Sequence, residues 1–204
     1  VKNIILNSDI DVNQLKYKKL ETIHNYFPEV DDFILLNNQK LNLNYKDNNL
    51  SIRGEGEIQL SNDERDKIKY LINKNDKDLN VNLELFLKSI DLKQQDYLKN
   101  FFPQIDKKIN FKDQKLKINY NNNNLSFSGS GQIKIGKDFE EIDFFVKKKE
   151  NKISFNTELN IKNSKFKIDT INYKKKDDSK MFLQINGELN NNKKLIINSF
   201  IINE

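Results

Sequence analysis

Residues 27–60 read FPEVDDFILLNNQKLNLNYKDNNLSIRGEGEIQL, and residues 102–135 read FPQIDKKINFKDQKLKINYNNNNLSFSGSGQIKI. The second line repeats the first 75 positions later with 16 of 34 residues identical, among them Phe27/Phe102, Pro28/Pro103, Tyr45/Tyr120, Gly54/Gly129 and Gly56/Gly131. After a one-residue gap the likeness continues, with INKNDKDLNVNLELFLKS lying over VKKKENKISFNTELNIKN. A period of this size signals supersecondary units that stack on a shared core.

Working outward, nearly every segment alternates apolar and polar residues, the mark of a half-buried strand. Leu50, Ile52, Gly54, Gly56, Ile58 and Leu60 fall on one face, opposite Ser51, Arg53, Glu55, Glu57 and Gln59. The second copy keeps the parity, with Leu125, Phe127, Gly129, Gly131, Ile133 and Ile135 together. Leu41/Leu43/Tyr45, Leu116/Ile118, Leu79/Val81/Leu83/Leu85/Leu87, Ile153/Phe155/Leu159/Ile161 and Leu183/Ile185/Leu189 follow the same rule. Asn- and Asp-rich clusters at 46–49, 75–78, 121–124, 150–152 and 190–193 supply hairpin turns, because these residues tolerate positive φ. The fold expected is mainly β: a long antiparallel meander, curved into a groove or taco-like sheet. The paired G-x-G opens no helix, so it reads as a place where the sheet bends or another group comes close, not as a phosphate cradle.

Two stretches interrupt the alternation. Asp11…Gln14 and Asp91…Gln94 resemble helix starts, and each following segment runs to Phe-Pro, where proline stops a helix. Two short amphipathic helices are therefore predicted, at about 11–27 and 92–102. The expected organisation is repeat unit 1 over 1–91, truncated on its N-terminal side, and repeat unit 2 over 92–204, in one continuous β-sheet array. The repeat is cut at both ends, so a piece of a longer protein is expected.

Composition narrows the function. The chain has 33 Asn, 33 Lys, only 2 Arg and no Cys, with 36% hydrophobic and 32% charged residues and a net charge of +5. The Asn and Lys excess reads as the imprint of an AT-rich genome, and the lysines are interleaved with 30 acidic residues. Nucleic acid is therefore not an expected partner. Zero Cys removes disulfides and thiolate metal sites. No apolar run approaches the ~20 residues of a spanning helix.

Catalytic chemistry finds no foothold. The single histidine, His24, is replaced by Lys99 in the second copy. Asp9-x-Asp11-x-Asn13 begins like a calcium loop, but Gln14 stands where glycine is needed and Leu20 where the closing glutamate belongs. Asp63/Glu64 and Glu140/Glu141 lack metal-ligand spacing, and no nucleophile elbow, P-loop or zinc helix motif is present. The expectation is a non-enzymatic chain with no cofactor and no metal, whose working part is a continuous apolar surface.

The strand rhythm, the line K-L-x-(L/I)-N-Y … L-S-x-x-G-x-G-x-I and the repeat length resemble the AsmA-like proteins of Gram-negative bacteria, over about residues 10–200. The resemblance implies a repeat-region fragment of a periplasmic protein anchored in the inner membrane by a segment outside this sequence. It further implies an apolar groove that conducts phospholipid acyl chains between membranes in outer-membrane biogenesis. Its partners would be those acyl chains and neighbouring repeats of the same longer chain, with membrane contact only through parts beyond this sequence. The groove candidates are Leu41, Leu43, Leu50, Ile52, Ile58, Leu60, Val81, Leu83, Leu85, Leu116, Ile118, Leu125, Phe127, Ile133, Ile135, Phe155 and Leu159. The competing reading is a structural, surface or adhesin-like β-repeat with a dry core and no ligand. A membrane β-barrel section fits less well, because the alternation is interrupted and paired aromatic girdles are missing.

Overall fold

The computed structural model describes residues 4–18, 30–60, 64–94, 96–190 and 194–204. Alternation is realised as long strands: β1 (Ile5–Lys18), β2 (Phe33–Lys46), β3 (Asn49–Gln59), β4 (Asp66–Lys74), β5 (Leu79–Lys93), β6 (Lys108–Asn121), β7 (Asn124–Ile135), β8 (Asp138–Lys149) and β9 (Lys152–Ile161). Two short strands, β10 (Lys167–Ile168) and β11 (Tyr173–Lys174), pair with each other, and β12 (Met181–Leu189) and β13 (Leu195–Asn203) rejoin the main sheet. That sheet is antiparallel and eleven-stranded, in the order β1-β2-β3-β4-β5-β6-β7-β8-β9-β12-β13. It is open: β1 and β13 are edges and do not close on each other.

The chain forms two compact units, one of Val1–Lys88 with Lys115–Phe127, the other of Ser89–Gln114 with Ser128–Glu204. In the first, β2 turns into β3 through Asp47 and Asn48, both at positive φ (50° and 61°). The β6–β7 turn, through Asn122 and Asn123, has the same character (42° and 73°). Two left-handed residues in a two-residue loop match the twist of the strands they join, and Asn and Asp adopt that conformation at least cost. A tyrosine braces each turn from the strand before it: Tyr45 donates to Asn48 Oδ1 at 3.1 Å and Tyr120 to Asn123 Oδ1 at 3.3 Å.

In the second unit the core is closed. Ile135, Ile161 and Met181 have almost no exposure, and with Ile109, Ile133, Ile142, Leu159 and Leu183 they fill one sheet face. The connections at 94–107 and 162–180 supply its lid. Phe102 and Phe166 rings meet at 5.2 Å between centroids, Ile105 packs into the same cluster, and Lys167 N–H bonds to Phe101 O at 3.0 Å.

The two predicted amphipathic helices are corrected. Residues 11–18 belong to β1 and pair along β2 from Asp11↔Lys40 to Lys18↔Phe33; the rest of the first predicted helix lies outside the described residues. Gln14 caps no helix and donates across the strands to Asn37 Oδ1 at 2.9 Å. In the second stretch Leu92 and Lys93 extend β5, and Asp91 accepts from Asn110 Nδ2 at 2.7 Å. Only Asp96–Asn100 turns, as a five-residue 3-10 helix. The reason is general: cross-strand pairing satisfies the whole backbone of these segments, and helix propensity is a weak bias beside it.

Candidate functional site

Pairing registers carry apolar residues across the strands in rows. In the first unit one row runs Leu43↔Ile52↔Ile72↔Val81 and the next Ile10↔Leu41↔Gly54↔Tyr70↔Leu83. A third joins Leu6, Tyr45 and Leu50. These side chains, with Leu116 and Ile118 of β6, are half-buried, except that Leu6 and Ile10 on the edge strand are exposed. Cross-strand neighbours shield one another sideways. The buried cluster of the second unit, with Ile105, Ile133, Ile142, Leu159 and Ile161, has buried equivalents in the first, Val30, Ile58, Ile68, Leu85 and Leu87.

The sequence-predicted groove residues divide accordingly. Ile58, Leu85, Ile133, Ile135 and Leu159 are buried, the last three within the closed core of the second unit. Leu41, Leu43, Leu50, Ile52, Leu60, Val81, Leu83, Leu116, Ile118, Phe127 and Phe155 are half-buried, and Leu125 is exposed. Of the rows in the second unit, Val146↔Phe155↔Gly187↔Ile197 leaves Ile197 exposed on β13.

Two polar features, both repeated, escaped the sequence reading and govern the apolar face. The first is a glutamine set into a bulge. Between Asn37 and Lys40 the β2–β3 register shifts, Asn38 takes φ 51°, and Gln39 is left almost fully buried (1% exposed). Gln39 Nε2 donates to Asn37 O at 2.8 Å and Glu57 O at 2.9 Å. Its amide lies over Gly56 so closely that a Cβ there would come 2.2 Å from Nε2. The second copy reproduces this: Asp113 at φ 52°, Gln114 Nε2 donating to Lys112 O (3.0 Å) and Gln132 O (2.9 Å), and Gly131 beneath it. A bulge leaves backbone carbonyls off the ladder, and the glutamine amide satisfies them inside an apolar surface. The expected close approach at the glycines is thus found, by Gln39 at Gly56 and by the Tyr70 ring at Gly54.

The second feature is a buried carboxylate at or near the start of the third strand of each repeat. Asp66 accepts Lys88 N–H at 2.8 Å, and burial, partly offset by that hydrogen bond, pushes its carboxyl above the ordinary value. Its counterpart Glu140 (1% exposed) accepts three N–H groups, from Lys162, Asn163 and Ser164, at 2.7, 3.0 and 2.7 Å. Each acid ends the pairing of a neighbouring strand by taking donors that would otherwise be orphaned. The repeat alignment held both signals, since Gln39/Gln114 are identical and the acids share a register.

On the opposite, polar face of the first unit lies an open depression of about 700 Å³, its rim formed by Asp9, Asp11, Lys40, Arg53, Lys69 and Glu84. Charges of both signs alternate there, and Lys69 pairs with Glu55 at 3.6 Å. Such a mixed lining selects no single ionic ligand. Among the described residues no group of three or more His, Cys, Asp or Glu is placed to hold a metal. No described helix is long and apolar enough to cross a membrane.

No family model matches the chain, and neither a curated protein nor a solved structure matches it.

Proposed function

We propose that the chain is a repeat segment of a periplasmic AsmA-like protein whose apolar sheet face shelters and conducts phospholipid acyl chains between membranes. The observation that supports this reading is the half-buried apolar ladder of the first unit, Leu41, Leu43, Ile52, Ile72, Val81 and Leu83, carried across consecutive strands in register. Each methylene moved from water onto such a surface gains ~0.8 kcal/mol, and headgroups stay hydrated at the margin. From β2 to β5 the row Leu43↔Ile52↔Ile72↔Val81 offers a sliding chain only apolar side chains. In this reading the inner-membrane anchor lies outside this sequence and neighbouring repeats continue the surface. The work is binding and conduction, with no catalysis and no cofactor.

A second reading, a structural β-repeat with a dry interior, draws on the loop-sealed core of the second unit. Native mass spectrometry of the gently purified chain separates the two. Lipid conduction predicts co-purifying phospholipid that disappears in the Ile52→Asp/Phe127→Asp variant. A bare protein, or a folded double variant that keeps its full lipid load, overturns it.

A further inference from the structure

The open depression on the polar face of the first unit, about 700 Å³, has the size of a small-molecule site. Two rows of side chains line it, each row taking one residue from each of β1 to β5. The first runs Asp9↔Asn42↔Arg53↔Leu71↔Asn82. The second lies two residues along and runs Asp11↔Lys40↔Glu55↔Lys69↔Glu84, changing sign at every strand. Neighbouring strands stand about 4.8 Å apart, so charges in a row hold one another in place. Asp9 accepts from Asn42 Nδ2 at 2.9 Å, Lys69 pairs with Glu55 at 3.6 Å and Glu84 with Lys117 at 3.4 Å.

Three properties restrict what fits. The lining holds four carboxylates, Asp9, Asp11, Glu55 and Glu84, against the cations Lys40, Arg53 and Lys69, and Lys117 beside Glu84 makes four of each. A lining of zero net charge gives an ion no preference. Next, β2, β3 and β4 are interior strands, paired on both sides. An extended peptide has no strand edge to join there, and recognition falls to side chains. Last, Leu71 breaks the alternation of β4: it lies half-buried on the charged side, between Lys69 and Asn73. The second copy repeats the exception 74 positions later. There Phe145 stands between Asp143 and Lys147, 45% exposed, and faces Asn156 as Leu71 faces Asn82. The apolar face of the sheet gains nothing from either residue.

We propose that this depression binds a neutral oligosaccharide. A sugar ring carries hydroxyls around its rim, each able to donate and to accept, and an apolar C–H face. Carboxylates and the amide oxygens of Asn42 and Asn82 accept from those hydroxyls. Lys40, Arg53 and the amide N–H groups donate to them, and Leu71 meets the C–H face. Alternating signs, which favour no ion, suit a ligand whose every polar group needs a partner of each kind. The site lies opposite the apolar rows, so it is independent of the lipid reading.

The test titrates the full chain, isotope-labelled, with free neutral trisaccharides of the gluco, galacto and N-acetylglucosamine series. At least one series should give saturable amide shifts centred on Asn42, Arg53, Leu71 and Asn82, unchanged when salt rises to about 0.5 M, where ionic contacts are screened. Asn82→Ala, at an exposed position that leaves the melting curve in place, should weaken binding about tenfold through one lost hydrogen bond. Lys67→Gln, on the same face of β4 but outside the depression, should change nothing. No shift with any series, or equal affinity in Asn82→Ala, overturns the proposal. So does binding that salt abolishes, which would make the occupant an ionic ligand such as a charged peptide. Binding only when the trisaccharide carries an alkyl chain also overturns it, since recognition would then lie in a lipid tail.

Discussion

Tyr70 and Phe144 offer a natural experiment inside one chain. They are equivalent by register: Tyr70 pairs with Leu83 on β4–β5, and Phe144 with Thr157 on β8–β9, both displaced by the same 74 positions. Tyr70 donates to Gln39 Oε1 at 3.3 Å, completing the hydrogen bonding of that buried amide, and burial raises the phenol above its ordinary value. In the second copy the phenylalanine has no hydroxyl, and Gln114 Oε1 is buried with no donor in reach. Tyr70→Phe should therefore recreate in the first unit the deficit already present in the second. The bond is long, so its loss should fall near the lower end of the ~1–3 kcal/mol cost of orphaning a buried acceptor, about 1 kcal/mol. At this chain length that lowers the melting temperature by about 2–4 °C. Phe144→Tyr should move the other way, by about 0.5–1 kcal/mol, as its hydroxyl reaches Gln114 Oε1. Urea unfolding followed by circular dichroism measures both, with Tyr45→Phe as an exposed-hydroxyl control worth only a few tenths of a kcal/mol, or about 0.3. A neutral Tyr70→Phe, or a destabilising Phe144→Tyr, would refute the account of the glutamine as a satisfied plug.

Gly56→Ala and Gly131→Ala should each cost about 2–4 kcal/mol in the same assay, because the new methyl displaces a glutamine amide that holds two carbonyls. Glu140→Ala should be more disruptive than Asp66→Ala, since it strands three N–H groups instead of one, and exchange at Lys162–Ser164 should speed up first. Asp66 has a raised folded pKa, so it favours the native state below its unfolded pKa, and that contribution is lost as pH rises through the folded value. Asp66→Asn should flatten that part of the stability–pH curve. Glu204 is held at about 2 by the Ser179 hydroxyl, Lys176 N–H and Tyr173 hydroxyl, against an ordinary 4.5. Its contribution is present above the ordinary value and lost as pH falls through about 2, so Glu204→Gln should remove that acid-limb slope. Tyr173, pushed up to about 12 by burial and then by Glu204, should ionise at lower pH in the same variant when followed by ultraviolet absorbance.

Much of the architecture is legible in the sequence. Period-two alternation, a 75-residue repeat and Asn-rich turns yield long antiparallel strands, since those patterns are local and each residue declares its face. The hairpins at 46–49 and 121–124 close as read, through paired left-handed Asn and Asp. Residues 11–18 and 92–93 are strand where the capping patterns point to helix, because Gln14 finds a partner 23 residues away in Asn37 and Asp91 one in Asn110. Those partners exist only once the strands are in register. The Gln39 and Gln114 plugs and the Asp66 and Glu140 strand ends were hidden for the same reason, since their bonds join residues distant in sequence.

The sequence by itself determined that this protein is a repeated, long-stranded sheet with one apolar and one polar face. Only the tertiary structure decided where along the strands that apolar face is sealed, by Phe102, Ile105 and Phe166 in the second unit with Val30 buried at the position of Ile105 in the first, and where Leu43, Ile52, Ile72 and Val81 form a half-buried row instead. Alternation says which way a side chain points. Which segment then packs above it is set by the path of the connecting chain, which no local pattern encodes.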